Sequence, residues 1–218
     1  MKEKPINVYW THSPENEQYI DFSFFYPKPK TLFKDIRSHK VENLPKDSLL
    51  VCPAVSNKLK KTLIFQSPMN CSYKYDFTDG KQDIKQTSES FLGYDVARPA
   101  SLDFGPQILF DLGYLFFSDE PLPVSFTAPY FHKPEYINYG TVIPGEFDIG
   151  QWFRPFKFEI QMWNQKGEIY LKEQEPLFYA EFKTQRPIHI KRFNKVGMRE
   201  KILTEINKNL IDEEPFIL

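Results

Sequence analysis

The chain has 218 residues, and 28 basic against 29 acidic side chains give it a formal net charge of −1. This balance argues against a protein whose main function is to bind nucleic acid, because such proteins need a basic face. A local basic patch is still compatible with the composition. No apolar run approaches the roughly 18 residues of a membrane span. The N-terminal segment also lacks the apolar core of a signal peptide, so we expect a cytoplasmic protein.

The apolar residues are unusually aromatic. Phe, Tyr and Trp make up 17% of the chain, and 18 prolines stand against 9 glycines. Aromatic side chains suit the half-buried surface of a pleated sheet, and proline interrupts helices. Composition therefore favours a mainly β fold. Because a cytoplasmic chain usually keeps its thiols reduced, we expect Cys52 and Cys71 to remain unpaired.

The first third of the chain alternates short apolar runs with proline, a pattern typical of strands between turns. We predict strands at Ile6–Thr11, Tyr19–Tyr26, Leu49–Cys52 and Thr62–Gln66. Thr31–His39 fits either a short helical turn or a link. Pro53–Lys61 is predicted as a short helix, since proline is favoured at the first helical position.

That predicted helix carries Lys58, Lys60 and Lys61 within four residues. Such a cluster fits either a solvated helix face or a site for phosphate groups, and we favour the solvated face. Further along, Cys71–Thr78 alternates apolar and polar side chains as a strand does. Asp79-Gly80 follows it, and this dipeptide favours a hairpin turn in which both residues adopt positive φ.

The middle of the chain contains a long apolar run at Ile108–Phe117, in which Gly113 marks a bulge or a close approach. Val124–Thr127 is a further short strand between prolines. Tyr130–Gly140 reads as a loop dense in aromatic residues, and loops hold functional groups more often than core strands do.

The stretch from Thr141 to Lys183 has the clearest pattern. Alternation predicts a strand at Phe156–Met162, a turn at Asn164–Gly167 and a return strand at Glu168–Lys172, so that the two strands form a hairpin. Leu177–Phe182 supplies a third strand. Ile188–Ile190 adds a fourth, and the 3, 4 and 7 spacing of apolar residues at about 196–212 predicts an amphipathic C-terminal helix.

Together these elements predict one β-rich domain spanning residues 1–218. The expected architecture is an antiparallel β-sandwich or jelly-roll-like body with a short helix near residue 55 and a C-terminal helix. Closure into two packed sheets would hide the edges that so many short strands create.

A metal site has one candidate set of ligands. His132 and Glu135 are three residues apart, and His189 lies further on. A facial triad for iron would normally show histidine two residues from a carboxylate, and a three-residue offset on a strand puts two side chains on opposite faces. We therefore predict no metal and no cofactor, and interpret these as ordinary histidines.

Glu146 and Asp148 are two residues apart and share one face of an extended backbone. Paired carboxylates can raise one another's pKa or carry out acid–base work. The alternative is a solvated turn between Gly145 and Gly150 in which the carboxylates cap backbone amides, and we favour that alternative.

Trp152, Phe153, Arg154 and Phe156 could line an aromatic wall with a cation, suitable for a ring or a sugar. Ordinary core packing with Arg154 outside explains the same residues, and we favour it. The chain contains neither the Gly-x-Ser-x-Gly motif of a nucleophilic serine nor the glycine-rich loops that bind phosphates and dinucleotides.

The stretch between about Leu49 and Phe193 resembles a family of tailed-phage and bacterial proteins without an assigned activity. The matching residues are Cys52-Pro53, Ser67-Pro68, Phe104-Gly105, Gly145, Asp148, Trp152, Trp163-Asn164 and Glu175-Pro176. At the last of these the family has a Gly-Glu-Pro corner, and Gln174 stands here in place of the glycine. The resemblance implies a β-rich domain and a phage or bacterial origin.

Two classes of function follow as expectations. The first is a non-catalytic, phage-type structural or protein-interaction protein that binds a protein partner or itself, in the cytoplasm or on a virion. The second is a cupin-like small-molecule-binding protein or enzyme that uses the 130–152 region. We expect neither a membrane nor nucleic acid as a partner. The candidate binding residues are Glu146, Asp148, Trp152, Arg154, His132 and Glu135.

Overall fold

The computed structural model describes residues 4–12, 26–38, 50–80, 82–88, 93–96, 105–153 and 155–193. Two α-helices in this part are α1 (Leu32–Ser38) and α2 (Pro53–Lys60). Its strands are β1 (Ile6–His12), β2 (Lys30–Thr31), β3 (Thr62–Gln66), β4 (Cys71–Asp76), β5 (Asp83–Gln86), β6 (Gly93–Val96), β7 (Gln107–Ser118), β8 (Pro123–Thr127), β9 (Gly140–Val142), β10 (Gly145–Asp148), β11 (Pro155–Met162), β12 (Lys166–Leu171), β13 (Pro176–Phe182) and β14 (Ile188–Arg192). The predicted mainly β fold is confirmed.

The largest sheet is built on the long strand β7. Its order is β14-β1-β7-β11-β9, and β6 also pairs with β7. All its pairs are antiparallel except β1 with β14, which run parallel. Between β11 and β7 the register jumps: Phe156 faces Tyr114, but Lys157 faces Asp111. The two extra residues on β7 include Gly113, which confirms the predicted bulge.

The second sheet has the order β10-β8-β13-β3-β2, and all of its pairs are antiparallel. The third sheet, β12-β4-β5, is also antiparallel. The hairpin predicted for 156–172 is therefore wrong. β11 belongs to the first sheet, β12 pairs with β4 in the third, and β13 lies in the second, so three consecutive strands enter three different sheets.

Aromatic side chains hold the sheets together. Phe178 on β13 stacks on Phe65 of β3 with ring centroids 4.5 Å apart, and it meets Phe158 of β11 at 5.6 Å. Tyr73 of β4 contacts Phe110 of β7 at 5.3 Å. One hydrophobic cluster accordingly takes side chains from all three sheets. Burial of this apolar area is the main favourable contribution to folding.

The two helices cover the other face of the second sheet. Leu32 of α1 and Leu59 of α2 form a separate cluster with Ile64 of β3 and Tyr179 of β13. α1 begins after Thr31, whose Oγ1 accepts a hydrogen bond from the Lys34 amide at 3.3 Å, an N-cap arrangement. The second sheet is therefore covered on both faces here, which explains the four consecutive buried residues at 62–65 in β3 and at 177–180 in β13.

Several local predictions are confirmed. α2 begins at Pro53, as the preference of proline for the first helical position indicated. Asp79 and Gly80 both have positive φ, at 55° and 74°, although strand pairing stops at Asp76 and Asp83, so the connection is longer than a two-residue hairpin. Phe156–Met162 alternates buried and more exposed positions, as predicted.

Other predictions are wrong or concern residues outside the described ranges. The short strand expected at 49–52 is wrong, since Leu50 and Val51 lie in a turn before α2. The C-terminal helix expected at about 196–212 and most of the strand expected at 19–26 fall outside the described residues. Cys52 is exposed and Cys71 is buried, and they are not joined to each other. Among the helices of the described ranges, none is long and apolar enough to cross a membrane.

Candidate functional site

The segment from Gly145 to Trp152, which we call the Trp152 surface, forms one end of the second sheet. β10 pairs with β8 along one edge, and within the described part of the chain no strand pairs with its other edge. Gly145 and Glu146 are exposed at that edge. A Cβ atom added to Gly145 would meet no atom within 4 Å, so the space beside the strand is open.

Asp148 does not act as one half of a carboxylate pair. Its Oδ1 accepts hydrogen bonds from the backbone amides of Leu122 and Gly150, each at 2.8 Å. Its carbonyl oxygen accepts from the amide of Trp152, also at 2.8 Å. The amide of Leu122 belongs to a buried residue, so the carboxylate satisfies a donor that water would not reach. Asp148 is the organiser of the turn that leads from β10 to Trp152.

Trp152 stands at the end of this turn with 41% of its surface exposed. Its ring lies 5.5 Å from that of Phe147, which in turn stacks on the buried Phe126 at 5.0 Å. Gly150 passes so close to the carbonyl of Glu120 that a Cβ atom there would clash with the backbone. An exposed indole is thus held on a backbone fixed by hydrogen bonds and close packing.

The aromatic wall considered for Trp152, Phe153 and Phe156 does not form as one surface. Phe156 is buried in the main core. Phe153 packs on Phe117, 5.2 Å away, as part of a third cluster around Leu115. Arg154 falls outside the described residues. The structure separates residues that the sequence placed side by side.

His132 lies away from the Trp152 surface in the sequence, on the loop after β8. Its Nε2 lies 2.8 Å from Oδ2 of Asp35 on α1, and its Nδ1 is hydrogen-bonded to the hydroxyl of Tyr179 on β13. Nζ of Lys30 lies 2.5 Å from Oδ1 of the same Asp35 carboxylate. With Nε2 donating to the carboxylate, Nδ1 accepts from the tyrosine hydroxyl. This chain of contacts, which we call the His132 network, joins β2, α1, the loop and β13.

The electrostatics of the His132 network follow from burial and pairing. Burial of Asp35 would raise the pKa of its carboxyl, but the hydrogen bond and charge of Lys30, helped by His132, outweigh burial and hold that pKa below its usual range. Burial raises the pKa of Tyr179, while the backbone amides of Phe131 and His132 hydrogen-bond to its hydroxyl and act in the opposite direction. The side chain of Tyr179 therefore stays neutral, and its hydroxyl holds the loop by hydrogen bonds.

Glu135 and His189 belong neither to the Trp152 surface nor to the His132 network. Glu135 is exposed at the start of a 3₁₀ turn at Glu135–Asn138, and His189 is exposed on β14. His132 instead bonds to Asp35 and Tyr179. Over the described residues, no group of three or more His, Cys, Asp or Glu side chains is arranged to hold a metal ion.

Sequence reasoning missed Asp35 and Tyr179. Asp35 lay in a segment that fitted either a helical turn or a link, and Tyr179 lay in a strand interpreted as core. One signal was present: Leu177–Ala180 is an apolar run, so a tyrosine hydroxyl within it needs a hydrogen-bond partner when it is buried. The partner itself is 47 residues away and carries no local mark.

No known protein family, no curated protein and no solved structure matches this chain.

Proposed function

We propose that this chain is a non-catalytic structural or protein-interaction protein, and that an extended segment of another polypeptide binds along β10 beside Trp152. A strand with an open edge offers a row of backbone donors and acceptors to such a segment. The neighbouring aromatic side chain supplies the apolar anchor that strand addition needs for specificity. The second polypeptide is either a different protein or another copy of this chain.

The observation that carries this proposal is the exposure of Trp152 on a rigid turn. Tryptophan is enriched among the few residues that dominate binding energy at protein interfaces. Its ring is already ordered by Phe147, and Asp148 fixes the backbone below it. Because little conformational freedom is left to lose on binding, the contact favours affinity.

The small-molecule alternative gains no support from the same residues. Acid–base work by Glu146 and Asp148 needs a carboxylate pair facing a shared ligand, but Asp148 directs an oxygen at two backbone amides. Phe156, which would have extended the aromatic wall, is buried. His132 is engaged with Asp35 and Tyr179.

A phage or bacterial origin belongs to the same proposal and is supported by the resemblance of residues 49–193 alone. On that basis the protein acts in the cytoplasm of a bacterium or infected cell, or as a virion component. Copurification with phage particles is the corresponding expectation.

The experiment compares the full chain with the Trp152→Ala variant. Sedimentation velocity of the purified protein at increasing concentration measures self-association. Affinity purification from the native host, with quantitative mass spectrometry, measures a different partner. We expect one stoichiometric polypeptide partner, reduced at least tenfold by Trp152→Ala.

Trp163→Ala is the matched control, because Trp163 is 55% exposed and directly follows β11, which begins after Trp152 and ends at Met162. It should bind as the unmodified chain does. The proposal is wrong if no partner is found in either experiment, or if both tryptophan variants lose the partner to the same extent.

A further inference from the structure

Helices α1 and α2 place an excess of basic side chains on one side of the second sheet. The segments 26–38, 50–61, 128–133 and 179–185 contain nine Lys or Arg residues and two carboxylates, a net of seven positive charges. Since the whole chain carries −1, the remainder carries a net of eight negative charges. The near-neutral total therefore conceals a strong local asymmetry. We call these four segments the basic patch.

Contacts within the basic patch show that its segments lie together. The ring of Phe33 on α1 is approached by Nζ of Lys60 on α2 at 5.1 Å and by Cζ of Arg37 at 5.3 Å. Nζ of Lys58 lies 5.9 Å from the ring centre of Tyr130 and 3.2 Å from Oε2 of Glu181. The cations thus alternate with aromatic rings across the two helices and the adjoining loop.

Both carboxylates of the patch are already paired with its own cations. Asp35 is buried between Lys30 and His132. Glu181 lies between Lys58 and Lys183, at 3.2 and 3.5 Å. The remaining exposed cations, among them Lys34 and Lys60, therefore present a field of one sign to solvent.

Two adjacent aromatic side chains are exposed at the margin of the patch. Tyr130 is 50% exposed and Phe131 is 44% exposed, with ring centres 5.2 Å apart. The next residue is His132, and the His132 network fixes the loop that carries both rings. Tyr130 also packs against Tyr179 at 4.9 Å. Because this part-buried network holds the loop, the two rings are presented in a defined position.

We infer that the basic patch binds single-stranded nucleic acid. Lysine charges follow a phosphate backbone, and exposed rings beside them accept unpaired bases by stacking. Lysines outnumber arginines eight to one in the four segments, which favours backbone contacts over the paired hydrogen bonds that arginine makes to base edges. Recognition is thus expected to depend on charge and stacking, with little sequence preference.

The test measures fluorescence anisotropy of a fluorescein-labelled oligothymidylate of about 20 nucleotides, a length sufficient to cover one such site. The full chain should bind it at low salt. If about five phosphates are contacted, affinity should fall about a hundredfold between roughly 50 and 200 mM salt. The double variant Lys34→Glu/Lys60→Glu should bind at least tenfold more weakly.

The matched control is Lys74→Glu/Lys172→Glu, which reverses two exposed lysines outside the patch and should bind as the unmodified chain does. Phe131→Ala keeps every charge and should weaken binding several-fold through loss of stacking. This variant also tests the inference if the double variant fails to fold, which circular dichroism would show.

Four results would overturn the inference. They are no binding at low salt, equal losses in the patch variant and the control, unchanged binding by Phe131→Ala, and preference for another probe. The competing probes are a duplex of the same length, polyglutamate as an acidic polypeptide, and phosphatidylserine vesicles as an anionic membrane. If the basic patch does not bind nucleic acid, the proposal for the Trp152 surface is unaffected, because Trp152→Ala and the patch variants change different residues.

Discussion

Nε2 of His132 and Oδ2 of Asp35 lie 2.8 Å apart, although 97 residues separate them in the chain. The contact connects α1 to the loop after β8, and Tyr179 extends it to the central strand of the second sheet. The Asp35 side chain is only 4% exposed, and its charge is compensated by Lys30 and stabilised by the hydrogen bond from His132. The loop that carries Tyr130 and Phe131 is therefore held against α1 and β13 by part-buried polar contacts.

Asp35→Asn tests the stability supplied by this contact. The substitution removes the charge that Lys30 compensates and that His132 hydrogen-bonds, so we expect the free energy of unfolding to fall by about 1–3 kcal/mol at neutral pH. Urea unfolding followed by circular dichroism measures the change. Glu135→Gln, at an exposed carboxyl three residues after His132, should leave stability within about 0.5 kcal/mol of the unmodified chain.

For the unmodified chain and Asp35→Asn we also predict a difference in how stability depends on pH. The folded pKa of Asp35 is lowered, so the contribution of its charge is fully present above the unfolded pKa of about 4 and is lost as the pH falls through the folded pKa. The stability difference between the unmodified chain and Asp35→Asn should therefore shrink below about pH 4. A difference that stays constant or grows on acidification would contradict the assignment.

Asp148→Ala tests the role of that carboxylate as a turn cap. It leaves the amides of Leu122 and Gly150 without their acceptor, so the free energy of unfolding should fall by about 1–3 kcal/mol. Glu146→Ala should change it by less than about 0.5 kcal/mol, because Glu146 is exposed. Equal effects of the two substitutions in thermal unfolding would contradict the capping role of Asp148.

Gln174→Gly should stabilise the protein. Gln174 has φ of 62°, in the left-handed region where a side chain is strained. Relief of this strain, less the greater freedom of glycine in the unfolded chain, should contribute about 0.5–1 kcal/mol. Gly80→Ala is the reverse change at φ 74° and should cost about 1 kcal/mol. Urea unfolding curves that show no gain for Gln174→Gly would contradict this account.

Phe178→Ala should be the most damaging of these substitutions. Phe178 is fully buried and contacts rings on β3, β8 and β11, so truncation opens a cavity where two sheets meet. We expect a loss of about 3–5 kcal/mol in chemical denaturation, and a smaller loss for Phe178→Leu. Phe131→Ala at an exposed site should cost less than about 0.5 kcal/mol, which also makes it usable in binding experiments.

The strands that could be predicted are those with a local pattern. In Phe156–Met162 and Cys71–Asp76, apolar and polar side chains alternate. This period of two can be recognised from neighbouring residues alone. Their pairing could not be predicted in the same way. The turn at 164–167 fits a return to β11 and a crossing to β4 equally well, and the choice depends on Ile169 and Leu171 meeting the core from the third sheet.

The candidate site divides in the same manner. The acidic segment at 145–152 stood out in the sequence, because its residues were not explained by packing alone. The assignment of Asp148 as a cap required the position of Leu122, 26 residues earlier. Likewise, the lysines at 58–61 stood out in the sequence, but the other three segments of the basic patch could not be joined to them, and the total charge stays near zero.

Hydrogen–deuterium exchange of the bound chain tests the Trp152 surface most directly. The full chain is compared free and in its purified complex, whether with another protein or in its self-associated form. We predict slower exchange at the backbone amides of 145–148 in the complex, with no change at β5, another edge strand. Protection at β5 or elsewhere, with unchanged exchange along β10, would show that the partner binds a different surface.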